Sequence, residues 1–209
     1  MKSTIFIALV FISFLNSYGQ EGNKLLFEST EVVWCGLDYS MVKCIGGYGF
    51  NEPDQIKNKY FEGWNQLMLA EPSKYNFKEA YDIDSQITDL SVVERRNDIP
   101  EIDSLVINEE YHFEPGAIKN VIKDYNLKKA KEGLGLVYIV ESLDKTKIQS
   151  TIYVVFFDIA TKEILWGRKY THEAKGFGFR NYWAYPIYST IKASGNMFRK
   201  EKKKYLKGR

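Results

Sequence analysis

Histidine and cysteine, which carry much of nucleophilic, general-base and metal chemistry, are nearly absent: the 209 residues contain two of each. Neither His112 nor His172 is followed by a second histidine at zinc-helix spacing, so His112-Phe113-Glu114 and His172-Glu173 offer one ligand pair at most. Both read as partly exposed strand or loop residues. No G-x-S-x-G elbow surrounds any serine, and Cys35 and Cys44 do not form a C-x-x-C pair. Nucleophilic catalysis would need a triad assembled from distant residues. The G-x-G-x-x-G spacing and the P-loop lysine are missing too, so no cofactor is implied. There is no Asn-x-Ser/Thr acceptor, which removes one mark of a eukaryotic secreted glycoprotein and leans the reading toward a bacterial source. Charge of neither sign dominates: 29 basic residues face 27 acidic ones, a poor match to a nucleic-acid partner.

What is present begins with an address. Met1-Lys2 precedes the apolar run Ile5 to Leu15 and then Ser17-Tyr18-Gly19, with small residues where a signal peptidase reads. Residues 1–19 therefore read as a secretory signal peptide, cleaved after Gly19. Its apolar core of 11 residues is shorter than the roughly 20 of a spanning helix, and no later stretch reaches that length. No cysteine near the cleavage point could carry a lipid, so a mature chain that is soluble and not membrane-spanning is expected, in the periplasm or outside the cell. In that oxidising setting Cys35 and Cys44 read either as a disulfide across a turn or as two buried thiols in neighbouring positions of one layer, a redox or metal pair being less well supported.

The remainder, residues 20–209, shows no linker or compositional seam and reads as one domain. Glu31 to Ser40 alternates as a first strand, followed by the glycine-rich loop Lys43 to Phe50. Pro53 opens a helix with Ile56, Tyr60, Trp64, Leu67 and Met68 at helical spacing. The acidic middle from Ser73 to His112 suggests a strand over Ile87 to Val93 and a short extended piece over Ser104 to Ile107. Ile118, Val121, Ile122 and Tyr125 mark a second helix after Pro115. Leu136 to Val140 and Ile152 to Phe157 are apolar runs rich in β-branched and aromatic residues, and Ile164 to Ala174 follows a hairpin-length loop. They predict an antiparallel three-strand meander. A terminal helix carries Trp183, Ile187 and Ile191, with a break expected near Gly195-Asn196 and a basic tail over about residues 198–209. The expected fold class is α/β: a single domain with a mixed β-sheet, covered by about three helices.

Gly133 to Val140, Thr151 to Asp158 and Thr161 to Leu165 resemble the small α/β domain of exported bacterial envelope proteins of the TolB amino-terminal and curli-secretion lipoprotein type. There, a strand ending in Asp is joined by a short turn to a strand beginning with a small polar residue and an apolar pair. The resemblance covers roughly a quarter to a third of the chain. It implies a non-enzymatic binding or assembly role, with an envelope protein or a cell-wall component as partner. The chain lacks the lipidated cysteine of the lipoprotein members.

Two loops repeat a pattern: Gly47-Tyr48-Gly49-Phe50-Asn51 and Gly176-Phe177-Gly178-Phe179-Arg180-Asn181 each follow an expected strand and precede an expected helix. One reading makes them backbone nests for an anion, with Tyr48, Phe177, Tyr182 and Trp183 as flat surfaces for a sugar or peptide and Arg180 as a charge partner. The plain alternative is that strand-to-helix turns need glycine and that the aromatics plug the core. The carboxylates from Asp82 to Glu114 allow a competing function, a small hydrolase acting on envelope polymers through an acidic pair, although such a run is also an ordinary solvated face. The basic tail could make peripheral contact with anionic lipid head groups, cell-wall polymers or an acidic partner, or simply complement the dipole of a helix end.

Overall fold

The computed structural model describes residues 20–208; the expected signal peptide and Arg209 lie outside them. Seven strands form one mixed sheet against which eight α-helical segments and one π-helical segment are arranged. The strands are β1 (Glu31–Asp38), β2 (Lys43–Ile45), β3 (Ser85–Thr88), β4 (Val106–Ile107), β5 (Leu134–Asp144), β6 (Gln149–Asp158) and β7 (Ile164–Glu173). β5 is the organising strand, buried along its whole length. One edge of β5 pairs antiparallel with β6, which pairs antiparallel with β7. The other edge is shared: β1 runs parallel to it from Val33↔Gly135 to Asp38↔Ile139, and β2 continues the line from Lys43↔Ser142 to Ile45↔Asp144. β3 and β4 add parallel to β1 and β2. Four of the six pairings are therefore parallel, and antiparallel pairing is confined to β5, β6 and β7.

The helices are α1 (residues 20–28), α2 (Pro53–Gln55), α3 (Phe61–Ala70), α4 (Phe77–Tyr81), α5 (Ser91–Arg96), α6 (Ile102–Leu105), α7 (Ala117–Lys123) and α8 (Phe179–Lys207), with a π-helical segment, Ile56–Tyr60, joining α2 to α3. This is more than the three expected, because the short helices are too brief to show a period. The expected strand Ile87 to Val93 is split: β3 stops at Thr88, and α5 starts at Ser91, whose amide and hydroxyl both donate to Asp89 Oδ1. An aspartate turning the chain in this way ends a strand and opens a helix. Likewise the extended piece expected over Ser104 to Ile107 is the end of α6 plus two strand residues.

α8, with α4, covers the sheet face that carries Trp34, Tyr138 and Phe156. Phe198 stacks on Phe156 with centroids 4.8 Å apart, and Phe77 stacks on Trp34 at 4.0 Å. Tyr125, just after α7, meets Phe157 edge-on. α8 does not break at Gly195. A Cβ there would lie 2.5 Å from the carbonyl oxygen of Ala80, so glycine lets α8 and α4 touch at the backbone. Beside the crossing, the hydroxyls of Tyr81, Tyr138 and Ser194 hydrogen-bond to one another in the core.

β1 bulges at its centre. Gly36 takes φ +100°, and the β1–β5 register shifts between Trp34 and Leu37. The Leu37 amide donates to Asn65 Oδ1 at 2.7 Å, and its carbonyl accepts from Asn65 Nδ2 and Asn97 Nδ2, both at 3.1 Å. The buried amides of α3 and of the α5 end thus replace the lost ladder. Just beyond, Asp38 is fully buried. Its Oδ2 accepts from Arg96 Nε at 2.8 Å and Tyr125 OH at 2.6 Å, and its Oδ1 from the Ser40 amide at 2.8 Å.

Cys35 and Cys44 are free thiols, both buried. The sheet register gives the reason. Cys35 falls in the bulge before Leu37↔Tyr138, and Cys44 faces Leu143. Five residues of β5 separate those levels, about 16 Å at strand rise, whereas a disulfide needs Cα atoms within about 7 Å. Neither sequence reading is met in full: both thiols are buried and unbridged, but at about 16 Å along the sheet they do not occupy neighbouring positions.

Candidate functional site

β2, β4, β5 and β7 all run the same way, so their carboxyl ends reach one edge of the sheet, the position at which open α/β sheets present loops to ligands. Four loops gather there: residues 46–52 after β2, 108–112 after β4, 145–148 after β5 and 174–178 after β7. Backbone bonds tie them together. Gly46 N donates to Ile107 O at 2.8 Å, Lys145 N to Ile45 O at 2.9 Å, and Ala174 N to Ile148 O at 2.8 Å. Asp144, buried at the end of β5, accepts from Thr146 Oγ1 and the amides of Thr146 and Lys147, fixing the turn.

The two glycine-aromatic loops are brought side by side. Phe50, buried, stacks on Trp183 with centroids 5.3 Å apart and meets Phe179 edge-on at 6.1 Å. Tyr60 and Trp64 extend the cluster by packing on Phe179, and Trp64 Nε1 donates to Arg180 O at 2.9 Å. This packed floor carries two rings that nothing covers: Tyr48 is 89% exposed and Phe177 95%. Beside the floor lies a cavity of about 140 Å³ whose lining includes Phe50, Glu52, Ile56, Tyr60 and Phe179. Lys145 Nζ lies 4.1 Å from the Tyr182 ring centroid and Lys175 Nζ 4.4 Å from that of Tyr185, at cation–π distance. Hydrogen bonding and attraction to the Tyr185 oxygen raise the Lys175 pKa, and the same contact lowers that of Tyr185.

The expected site residues divide accordingly. Tyr48 and Phe177 are surface rings, Tyr182 is half-buried, and Gly47, Gly176, Gly178 and Arg180 are exposed, with Gly49 partly so. Trp183 is not a ligand platform: 1% exposed, it is part of the floor. The first loop is not a bare amide nest either. Gly47 N is held by Asn108 Oδ1 at 3.3 Å and Phe50 N by Gly47 O at 3.2 Å. Positive φ at Gly46, Gly49, Gly176 and Gly178 makes these turns, as glycine permits.

A second polar cluster escaped sequence reasoning. Glu141 is buried at a β5–β6 register shift. Its Oε1 accepts from Phe113 N at 2.9 Å and Tyr153 OH at 3.3 Å, and its Oε2 lies 2.7 Å from Lys169 Nζ and 3.6 Å from His112 Nδ1. Burial lowers the Lys169 pKa, but the carboxylate outweighs it and the net shift is upward. The cluster pins residues 112–113 to the sheet. Its one sequence signal is a glutamate inside an apolar strand. Among the described residues no group of three or more His, Cys, Asp or Glu side chains is arranged to hold a metal ion. No helix of the described residues is long and apolar enough to cross a membrane.

No family model matches the sequence, and no curated protein matches it. Among solved structures, the chain is similar to the C-terminal domain of LpoB from Salmonella enterica, at 7% identity and a TM-score of 0.29, over 74% of this chain and 94% of that one.

Proposed function

We propose that this chain is an exported, non-enzymatic binding module of the bacterial cell envelope, holding another envelope component against its carboxyl-edge loops with the Tyr48 and Phe177 rings as contact residues. The observation that carries the reading is the pair of uncovered rings on two neighbouring loops, seated on a rigid aromatic floor. An aromatic side chain buries 150–250 Å² when covered, about 4–6 kcal/mol gross at 25 cal/mol per Å². Part of that is spent on association and ordering, which a preorganised floor keeps small. Aromatic rings of this kind are enriched at interface cores. The signal-peptide pattern supports the location. A hydrolase would need two carboxylates facing across a cleft, and Glu52 is the one carboxylate in the lining of the cavity beside the rings.

The test is affinity capture from the native envelope fraction with the wild-type chain and with Tyr48→Ser/Phe177→Ser. A component recovered by the first and lost by the second, at unchanged melting temperature, is expected. Equal recovery by both would sink the proposal.

A further inference from the structure

The outer face of α8, turned away from the sheet, carries a row of polar side chains: Lys192, Asn196, Lys200, Lys203 and Lys207, at i, i+4, i+8, i+11 and i+15, all exposed. At 1.5 Å per residue the row is straight and about 22 Å long. From Ile191 to Lys207 the helix bears seven cations and one anion, Glu201, which is engaged by Trp166 Nε1 at 2.7 Å and Arg168 Nη2 at 3.3 Å. Lys202 pairs with Asp82 at 2.8 Å, whereas Lys192, Lys200, Lys203, Lys204 and Lys207 have no ion pair among the described residues. The helix dipole accounts for cations in the last turn, Lys204 and Lys207, and no further back. Arg199/Lys203, Lys200/Lys204 and Lys203/Lys207 are like charges at i, i+4, which destabilise a helix. No ion pair among the described residues offsets them.

The upper end of the row opens into a groove of about 420 Å³ between α8 and residues 73–80, lined by Lys74, Asn76, Glu79, Tyr188, Lys192 and Arg199 among others. Glu79 is its one acidic side chain and is bonded to Asn76 Nδ2 at 3.2 Å; Lys74 faces Glu71 at 3.5 Å in an exposed pair. Arg199 donates only to uncharged oxygens, the carbonyls of Glu79 and Ala80 and the Asn196 amide, so its charge stays unneutralised. A concave groove continuing into a straight cationic row fits a chain better than a plane. The exposed apolar side chains of the helix, Met197 and Leu206, lie about 90° to either side of the row at 3.6 residues per turn. A bilayer pressed on the row would find nothing there to insert. Asn76 and the partly exposed Tyr188 ring supply the hydrogen bonding and flat surface that sugars use.

We propose that this groove and row form a binding track for an acidic polysaccharide, separate from the aromatic loops. The test measures affinity of the full mature chain for polygalacturonate, with uncharged dextran and phosphatidylglycerol vesicles as the other arms. Expected are binding to polygalacturonate but not dextran and at least a 10-fold loss in Lys200→Glu/Lys203→Glu/Lys207→Glu. A comparable loss is expected in the groove variant Asn76→Leu/Lys192→Glu. Raising salt fourfold should weaken binding by up to about 100-fold, if five cations each contribute as on a flexible polyanion. The Tyr48→Ser/Phe177→Ser variant should bind as wild type, which separates this track from the aromatic surface. Unchanged affinity in either charge variant, or binding to the vesicles without binding to the polymer, would overturn the proposal. Where charge reversal lowers the melting temperature, glutamine at the same three positions gives the readout.

Discussion

Replacing Arg96 by methionine tests how the bulged centre of β1 is held. Arg96 Nε reaches Asp38 at 2.8 Å, Nη1 reaches Asp124 at 2.6 Å and Nη2 reaches Ser40 Oγ at 2.8 Å, with the Asp38 side chain at 0% exposure and Asp124 at 61%. The exposed Asp124 contact contributes at most about 1 kcal/mol. The Asp38 contact is different in kind, because removing one partner of a buried pair leaves a charge uncompensated at about 3–5 kcal/mol. Tyr125 OH and the Ser40 amide still donate to that carboxylate, which places the expected loss near 3–4 kcal/mol. That is a large part of the 5–15 kcal/mol of a typical domain, yet leaves it folded. Urea unfolding reads it as a lower midpoint at constant slope. Adding Asp38→Asn should cost less than the sum of the single changes by about 1–3 kcal/mol. A loss below about 1 kcal/mol, or strict additivity, would refute the claim that the ion pair is buried and coupled.

Two further expectations concern the buried cysteines and the half-buried His172. Burial pushes the Cys35 and Cys44 thiols well above their ordinary values, so thiol reagents should label neither in the native chain and both after denaturation without reductant; denatured protein with no reactive thiol would contradict the register argument. Burial lowers the His172 pKa below its usual 6.5, and its Nε2 has no hydrogen-bond partner among the described residues. The unfolded chain then binds the proton more readily, so stability should fall as pH drops through 6.5 toward the lowered folded value and level off below it. His172→Gln should flatten that slope in a series of unfolding curves from about pH 7 to 5; an unchanged slope would remove His172 as its source.

The strands around β5 were legible because a strand buried on both sides must be apolar throughout, and Leu136 to Val140 and Ile152 to Phe157 are. Of the parallel strands, the eight residues of β1 were legible, β3 and β4 only in part and β2 not at all: these three have four, two and three residues, too few for any alternation. The likeness of the two glycine-aromatic loops was visible in sequence, but their meeting depends on β2 and β7 pointing the same way across the sheet. Trp183 looked like a platform because sequence shows an aromatic near a loop and not which side of α8 it faces. The Asp38, Arg96 and Tyr125 cluster was hidden by separations of 58 and 87 residues.

The most direct measurement of the central claim is site-specific photo-crosslinking in the envelope, with benzoylphenylalanine placed singly at Tyr48, at Phe177 and, as control, at Thr161 in the β6–β7 turn. Thr161 lies beyond the far end of β7, whose ten residues span about 33 Å. The same adduct is expected from positions 48 and 177 and none from 161. No adduct from either ring position, or equal adducts from all three, would contradict it.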